Sequence, residues 1–423
     1  MHKRVLPLML VLAVVAARLP SSRATYAPAN PPPSTSVPPR ALVSLTAAIQ
    51  GCLRSPPPSA SRYLLVARML MCYIWNANSL VSLSGSYREG VCSMHRRVLP
   101  LMLALTAVAA VLASSATGAK QDVTINLVAY STPRPVLDKL ITEFKKTPQG
   151  SGINVRASYG PSSAQGQAVA NGLPADGVIL NTGNDINNLV DKGLINKNWD
   201  KQSYNGVVWH SVVVYGLRNG NPKKVKGWND LVKPGVQVVT VNPFTGGIAK
   251  WNILAGYVAQ RRLGKTDKQA IAYLQKFYKN NVVSQDSSGS NATNTFLSGK
   301  GDVLLTFESE AINGKIPYVI PRQTMLIDVY AAGLQKSEHK NEWNLFSRFL
   351  KTYPAQKILA DNGYRPVDKK ALAEAGNKYP VRPGQTTITS PLLGGWRAVD
   401  KKWFDPNNSV MQKIEQSLGV STG

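Results

Sequence analysis

The sequence predicts an α/β fold in two lobes, with mainly parallel sheets flanked by helices and joined through a hinge. Three observations predict it. From residue 122 onward, β-branched apolar runs alternate with helix-like segments, the pattern of a largely parallel sheet with helices on both faces. The 304 residues after position 119 exceed what one hydrophobic core comfortably serves. Two extended runs, Val207–Leu217 and 324–331, are placed to carry the chain from one lobe to the other and back.

Each element has its own reason. Residues 122–130 alternate Val123, Ile125, Leu127 and Ala129, which reads as a strand. Thr132-Pro133 then opens a helix over 135–145, because proline suits a first turn. A second strand over 154–159 is followed, over 162–170, by a small-residue turn running into a helix. A strand at 177–180 and a helix at 184–192 follow. Beyond Leu217 come a segment at 228–231, a strand at 236–241 and helices at 251–263 and 268–279. After these come a strand at 302–307 and extended runs at 316–321 and 324–331. A helix at 342–353, the turn at 362–366 and C-terminal helices complete the chain. This assigns 120–212 with 323–396 to lobe I, 213–322 to lobe II, and 397–423 to a C-terminal helical segment.

The first 119 residues read as leader rather than fold. Residues 1–19 match 94–112 at 14 of 19 positions, each with a basic start and an apolar stretch too short for a comfortable membrane span. Small residues at −3 and −1 place a cleavage site after Ala116 or Ala119 in the second copy. Between the copies lies a Pro/Ser/Ala-rich stretch without periodicity, expected to be disordered. The economical reading starts translation at Met94, with 94–119 a signal peptide of an exported protein and 1–93 a mis-assigned upstream extension. A genuine tandem leader or an N-terminal anchor is the rival.

Trimming changes the chemistry on offer. Cys52, Cys72 and Cys92 all precede Met94, so the segment from Lys120 has neither disulfide, thiolate metal site nor Cys nucleophile. It keeps 38 basic and 22 acidic residues, a net +16 rather than +26. Its lysines are scattered instead of forming a groove-reading helix, which argues against nucleic acid. Only His210 and His339 remain, far apart, so triads and zinc sites lack parts. Neither a catalytic residue, a metal nor a cofactor is expected.

The segment that does carry chemistry is Asn242-Pro243-Phe244-Thr245-Gly246-Gly247-Ile248-Ala249-Lys250-Trp251-Asn252. An apolar strand precedes it and a helix follows. Strand, small-residue turn and helix start together make an anion cradle, with free N–H groups and the positive end of the helix dipole converging. A tight turn with no ligand has the same form, so this motif alone decides nothing.

Its neighbours add a resemblance. Val128-Ala129-Tyr130, Tyr159-Gly160-Pro161-Ser162, Asn171-Gly172-Leu173-Pro174-Ala175-Asp176, Asn242-Pro243, Thr293-Asn294-Thr295-Phe296, Gly363-Tyr364-Arg365-Pro366 and Gly394-Gly395-Trp396 occur in one order. In that order the chain resembles the periplasmic sulfate- and thiosulfate-binding proteins that feed ABC importers, through nearly all of 122–423. The resemblance implies the two-lobed periplasmic-binding-protein fold and an interlobe site for a dehydrated oxyanion, held by N–H and hydroxyl donors without a contacting countercharge. It also implies delivery to a membrane permease, by a protein working as a monomer.

Carried over by position, the implied ligand contacts are Ser131 (where the family has Asp, acting through its main chain) and Ser162, with Ser163 as a spare. Gly246, Gly247 and Ile248 follow, then the backbone of Gly289, and Phe307 where the family has an indole. Gly246 stands for a serine and Ile248 for a glycine. A one-residue shift would instead let Thr245 supply the hydroxyl. These departures leave sulfate, thiosulfate, molybdate, tungstate and organosulfur anions open. Trp228, Trp251 and Trp396 are read as core, Phe307 as packing more than contact, and Lys250 and Arg365 as solvated charges.

Overall fold

The computed structural model describes residues 122–420 and 422. The leader copies, the 1–93 extension and its cysteines, and both cleavage sites lie outside the described residues. From Val123 the chain alternates strictly: β1 (Val123–Tyr130), α1 (Arg134–Lys146), β2 (Ile153–Gly160), α2 (Ser162–Ala170), β3 (Gly177–Leu180), α3 (Gly183–Asp191). The long β4 (Val207–Leu217) leads to a second alternation of β5 (Val238–Val241), α4 (Gly247–Arg262), α5 (Asp267–Asn280), β6 (Val282–Asp286), α6 (Gly289–Leu297), β7 (Val303–Phe307) and α7 (Glu308–Asn313). The chain then returns through β8 (Tyr318–Val319) and the long β9 (Gln323–Gly333). It closes with α8 (Lys340–Phe349), α9 (Tyr353–Asp361), α10 (Lys369–Ala375), β10 (Gly384–Thr386), α11 (Trp396–Val399) and α12 (Val410–Ser417).

Among the described residues the strands form one sheet, ordered β2-β1-β3-β9-β4-β7-β5-β6, with β8 beside β4 and β10 beside β9. Each wing is parallel, as helical crossovers require: β1 with β2 and β3, β5 with β6 and β7. The strands joining the wings are antiparallel. β4 pairs with β9 through Val212 and with β7 from Val213 on, so one strand belongs to both wings. The parallel expectation therefore holds within each wing and not across the centre.

Local chemistry explains the individual elements. α1 starts among prolines, turns Val136, Leu137, Leu140 and Phe144 inward, and ends on Lys145 and Lys146 beside its negative pole. α5 is fixed by a capping box: Gln269 N–H donates to Thr266 Oγ1 at 3.3 Å and Thr266 N–H to Gln269 Oε1 at 2.9 Å. α4 is buried from Gly247 to Gln260, which identifies it as the helix inside the fold, with Lys250, Asn252 and Gln260 given polar partners there.

Three expectations need correction. The helix placed at 251–263 begins at Gly247, because packing overrides the poor propensity of a Gly-Gly-Ile start. The helix placed at 342–353 breaks after Phe349. Pro354 cannot continue it and instead opens α9 behind Thr352. β6, α6 and α7 carry no apolar periodicity and were not foreseen.

Candidate ligand-binding site

The carboxyl ends of the parallel strands meet at one small, narrow cavity. Tyr130, Ser131 and Thr132 follow β1; Gly160, Pro161 and Ser162 close β2; Asn181 follows β3. From the other wing come Gly246, Gly247 and Ile248 after β5, Ser288 and Gly289 after β6, and Phe307 at the end of β7. Every lining residue is neutral. α1, α2, α4 and α6 begin within a few residues of this point, so their positive ends converge on it. A wider, open groove along Leu173, Asp176, Lys336 and His339 lies at the amino end of β3, away from these helix starts.

The cavity brings together Ser131, Ser162, Gly246, Gly247, Ile248, Gly289 and Phe307. Thr245 does not line it. Its hydroxyl donates to Ser287 O at 3.0 Å, and its carbonyl accepts the N–H groups of Ser163 and Ala164 at 3.1 and 3.3 Å. The ungapped register therefore describes the wall, and Thr245 is a tether between the turns after β5 and β2.

Glycine is required in that wall by close approach. A Cβ at Gly247 would lie 1.8 Å from Asn181 Oδ1, and one at Gly246 would lie 2.3 Å from Val241 Cγ1. Two donors are engaged elsewhere. Ser131 N–H donates to Gly160 O at 2.9 Å, extending the β1–β2 ladder by one bond, so its expected main-chain contact is occupied. Ser162 Oγ donates to Asp185 Oδ2 at 2.9 Å while accepting Asn181 N–H at 3.2 Å. Ser163, the spare, holds its hydroxyl buried and unpartnered. Phe307 packs on Tyr130 with ring centroids 5.9 Å apart, which places an apolar edge on the cavity.

Two cations near the cavity are paired off. Lys250 and Arg365, expected in solvent, are 5% and 4% exposed. Arg365 grips Glu308 in a fork, Nε to Oε2 at 2.6 Å and Nη2 to Oε1 at 3.0 Å. Lys250 stands beside Asp185. Burial pushes the Glu308 and Glu310 carboxyls above the usual range, against the pull of Arg365 on the first and of Thr293 and Thr306 hydroxyls on the second. Trp228, Trp251 and Trp396 are core, as expected, and Trp251 Nε1 donates to Asn181 O at 2.6 Å across the two wings. The cavity wall is neutral, Lys250 and Arg365 are held by Asp185 and Glu308, and the Glu310 carboxylate is met by threonine hydroxyls rather than by a cation, so a small anion would be held there without a contacting counterion.

A model of the bacterial extracellular solute-binding protein family matches residues 125–365. The chain belongs to that family. Among solute-binding proteins of the family it is similar to the sulfate-binding protein of Synechococcus elongatus, 34% identical over 327 residues that cover 72% of this chain and 90% of that protein. It is also similar to the thiosulfate-binding protein of Pseudomonas aeruginosa, 32% identical over 289 residues, 65% of this chain and 85% of that protein. The solved sulfate-binding protein SubI from Mycobacterium tuberculosis is 38% identical, with a TM-score of 0.64 over 67% of this chain and all of SubI. The periplasmic binding protein AfuA from Actinobacillus pleuropneumoniae, at 14% identity and TM-score 0.53, shares the fold alone.

Six wall residues of this solute-binding protein were not among the contacts expected from sequence: Tyr130, Thr132, Gly160, Pro161, Asn181 and Ser288. Asn181 had a usable signal, since it is the first residue past a buried parallel strand, where such sheets place ligands. Ser288 had one too. It is the N-cap of α6 and accepts Asn291 N–H at 3.1 Å, but a polar helix without periodicity concealed it.

Proposed function

We propose that the protein captures a tetrahedral oxyanion, sulfate first, and delivers it to the permease of an ABC importer without chemical change. The observation that carries this reading is the neutral cavity where four helix starts converge, in a chain whose relatives are named for binding sulfate and thiosulfate. Fixed neutral donors each contribute modestly, but several together match a dianion's hydration shell with no reorganisation. Lobe I is 120–212 with 323–396 and lobe II is 213–322. β4 and β9 are the hinge, 397–423 is a C-terminal brace, and closure of the lobes buries the ligand. The homologous bacterial proteins work in the periplasm; export of this one through 94–119, with cleavage near Ala116 or Ala119, belongs to the same reading.

A second reading has its own observation. Phe307 puts an apolar edge on the wall, so one position of the ligand need not be a strong acceptor, which favours thiosulfate or an organosulfur anion. Calorimetric titration of the purified protein with sulfate, thiosulfate, molybdate, tungstate and phosphate separates the readings. A ligand at a hundred times its Kd adds about 2.7 kcal/mol to the unfolding free energy. Silence towards all five anions ends the proposal; thiosulfate binding tighter than sulfate selects the second reading.

A further inference from the structure

Thr132 and Glu310 meet although they come from different wings of the sheet, Thr132 from the turn after β1 and Glu310 from α7 behind β7. Gly289 lies between them: a Cβ there would stand 3.1 Å from Thr132 Oγ1 and 3.3 Å from Glu310 Oε2. Within its own wing the Glu310 carboxylate accepts from Thr293 Oγ1 at 2.5 Å and from Thr306 Oγ1 at 3.1 Å. The Thr132 hydroxyl faces the same carboxylate across Gly289, near enough to reach it on a small closing movement. Beside it, Ser131 Oγ lies 3.3 Å from Ser290 Oγ, a second contact across the seam.

We propose that Glu310 is a positioning residue for ligand retention, whose carboxylate takes the Thr132 hydroxyl when the wings close and so holds the turn after β1 and the start of α6 against the bound oxyanion. The inference rests on the oxyanion reading above. Its logic is differential. The Thr293 and Thr306 bonds stay within one wing and persist whether the wings are open or closed, so they support the fold. The Thr132 bond crosses the seam and exists only in the closed form. A contact made in one of two states shifts the equilibrium towards that state, and here it slows release of the ligand.

The test compares Thr132→Val with Thr293→Val, each deleting a hydroxyl and keeping the shape. Sulfate and thiosulfate are titrated by calorimetry, release is followed by stopped flow, and unliganded proteins are melted. Thr132→Val is expected to weaken binding roughly three- to tenfold, entirely through faster release, with the unliganded melting temperature unchanged. Thr293→Val is expected to lower the unliganded melting temperature and leave affinity as it was. Wild-type affinity in Thr132→Val, or an unliganded loss as large as that of Thr293→Val, overturns the inference alone. A wild-type protein that binds neither anion overturns the oxyanion reading and this inference with it.

Discussion

Lys250 Nζ stands 3.6 Å from Asp185 Oδ1, with side chains 6% and 3% exposed, so the first cation of α4 is held by a carboxylate at the start of α3. The same carboxylate receives the Ser162 hydroxyl. The pair thus joins the two wings behind the cavity wall, and the carboxylate compensates the lysine charge there.

Removing one partner of that pair leaves the other charged and buried. Lys250→Met is expected to lower stability by about 3–5 kcal/mol, read as a shift of the urea midpoint at constant slope. The double variant Lys250→Met with Asp185→Asn removes both charges and is expected to recover most of the loss. Equal losses in the single and double variants would show that the ion pair is not the source.

A serine at 246 restores the hydroxyl expected by resemblance but not its room. The new Cβ falls 2.3 Å from Val241 Cγ1 and 3.1 Å from Ser287 O. Gly246→Ser is therefore expected to lose about 1–3 kcal/mol by overpacking, without tighter oxyanion binding. Combined with Val241→Ala, it is expected to lose less than the sum of the two single variants, which thermal denaturation reads directly.

Phe307→Trp places an indole N–H on the apolar wall of the cavity. A hydrogen bond to a charged acceptor is worth about 1.5–3 kcal/mol, so sulfate affinity is expected to rise roughly ten- to hundredfold. Titration of sulfate into the variant checks this. Unchanged affinity in a variant that melts like the wild type would place the ligand away from position 307.

Glu415, on α12, is fully buried; its Oε2 accepts from Gln285 Nε2 at 2.8 Å and its Oε1 has no partner. Burial lifts its carboxyl from 4.5 to about 7, with the Gln285 bond pulling the other way. Between those values the folded chain keeps a proton that the unfolded chain has released. Its contribution to stability is complete below pH 4.5 and is lost as pH rises through about 7. Urea denaturation at pH 5 and pH 8 is expected to differ by on the order of 2 kcal/mol in the wild type from this group, allowing for solvent screening, and Glu415→Gln removes that difference. A pH dependence identical in both proteins would clear Glu415 of the effect.

Much of the fold was legible because its strands are apolar and its helices amphipathic. The boundaries of β4 match the sequence reading residue for residue, since Val207–Leu217 is a long β-branched run. β6, α6 and α7 were illegible for the opposite reason. They are short and mostly polar, with few apolar residues to set a period, and their conformation comes from the pairing of β6 with β5 and from caps such as Ser288. The site was legible as a set of turns and not as a set of bonds. Thr245 and Gly246 are adjacent in sequence, and only the approach of Ser287 and Val241 decides which of them faces the cavity.

By itself the sequence determined the alternation of strands and helices, the absence of cysteine beyond Lys120, and the strand, glycine turn and helix order around Gly246-Gly247. Local periodicity and residue chemistry suffice for those. The tertiary structure decided that Thr245 tethers, that Lys250 and Arg365 are buried in ion pairs, and that Asn181 and Thr132 belong to the wall. Each of these depends on which long-range neighbour meets a side chain, and a hydrogen bond or an ion pair between residues more than forty positions apart leaves no mark in the sequence around either one.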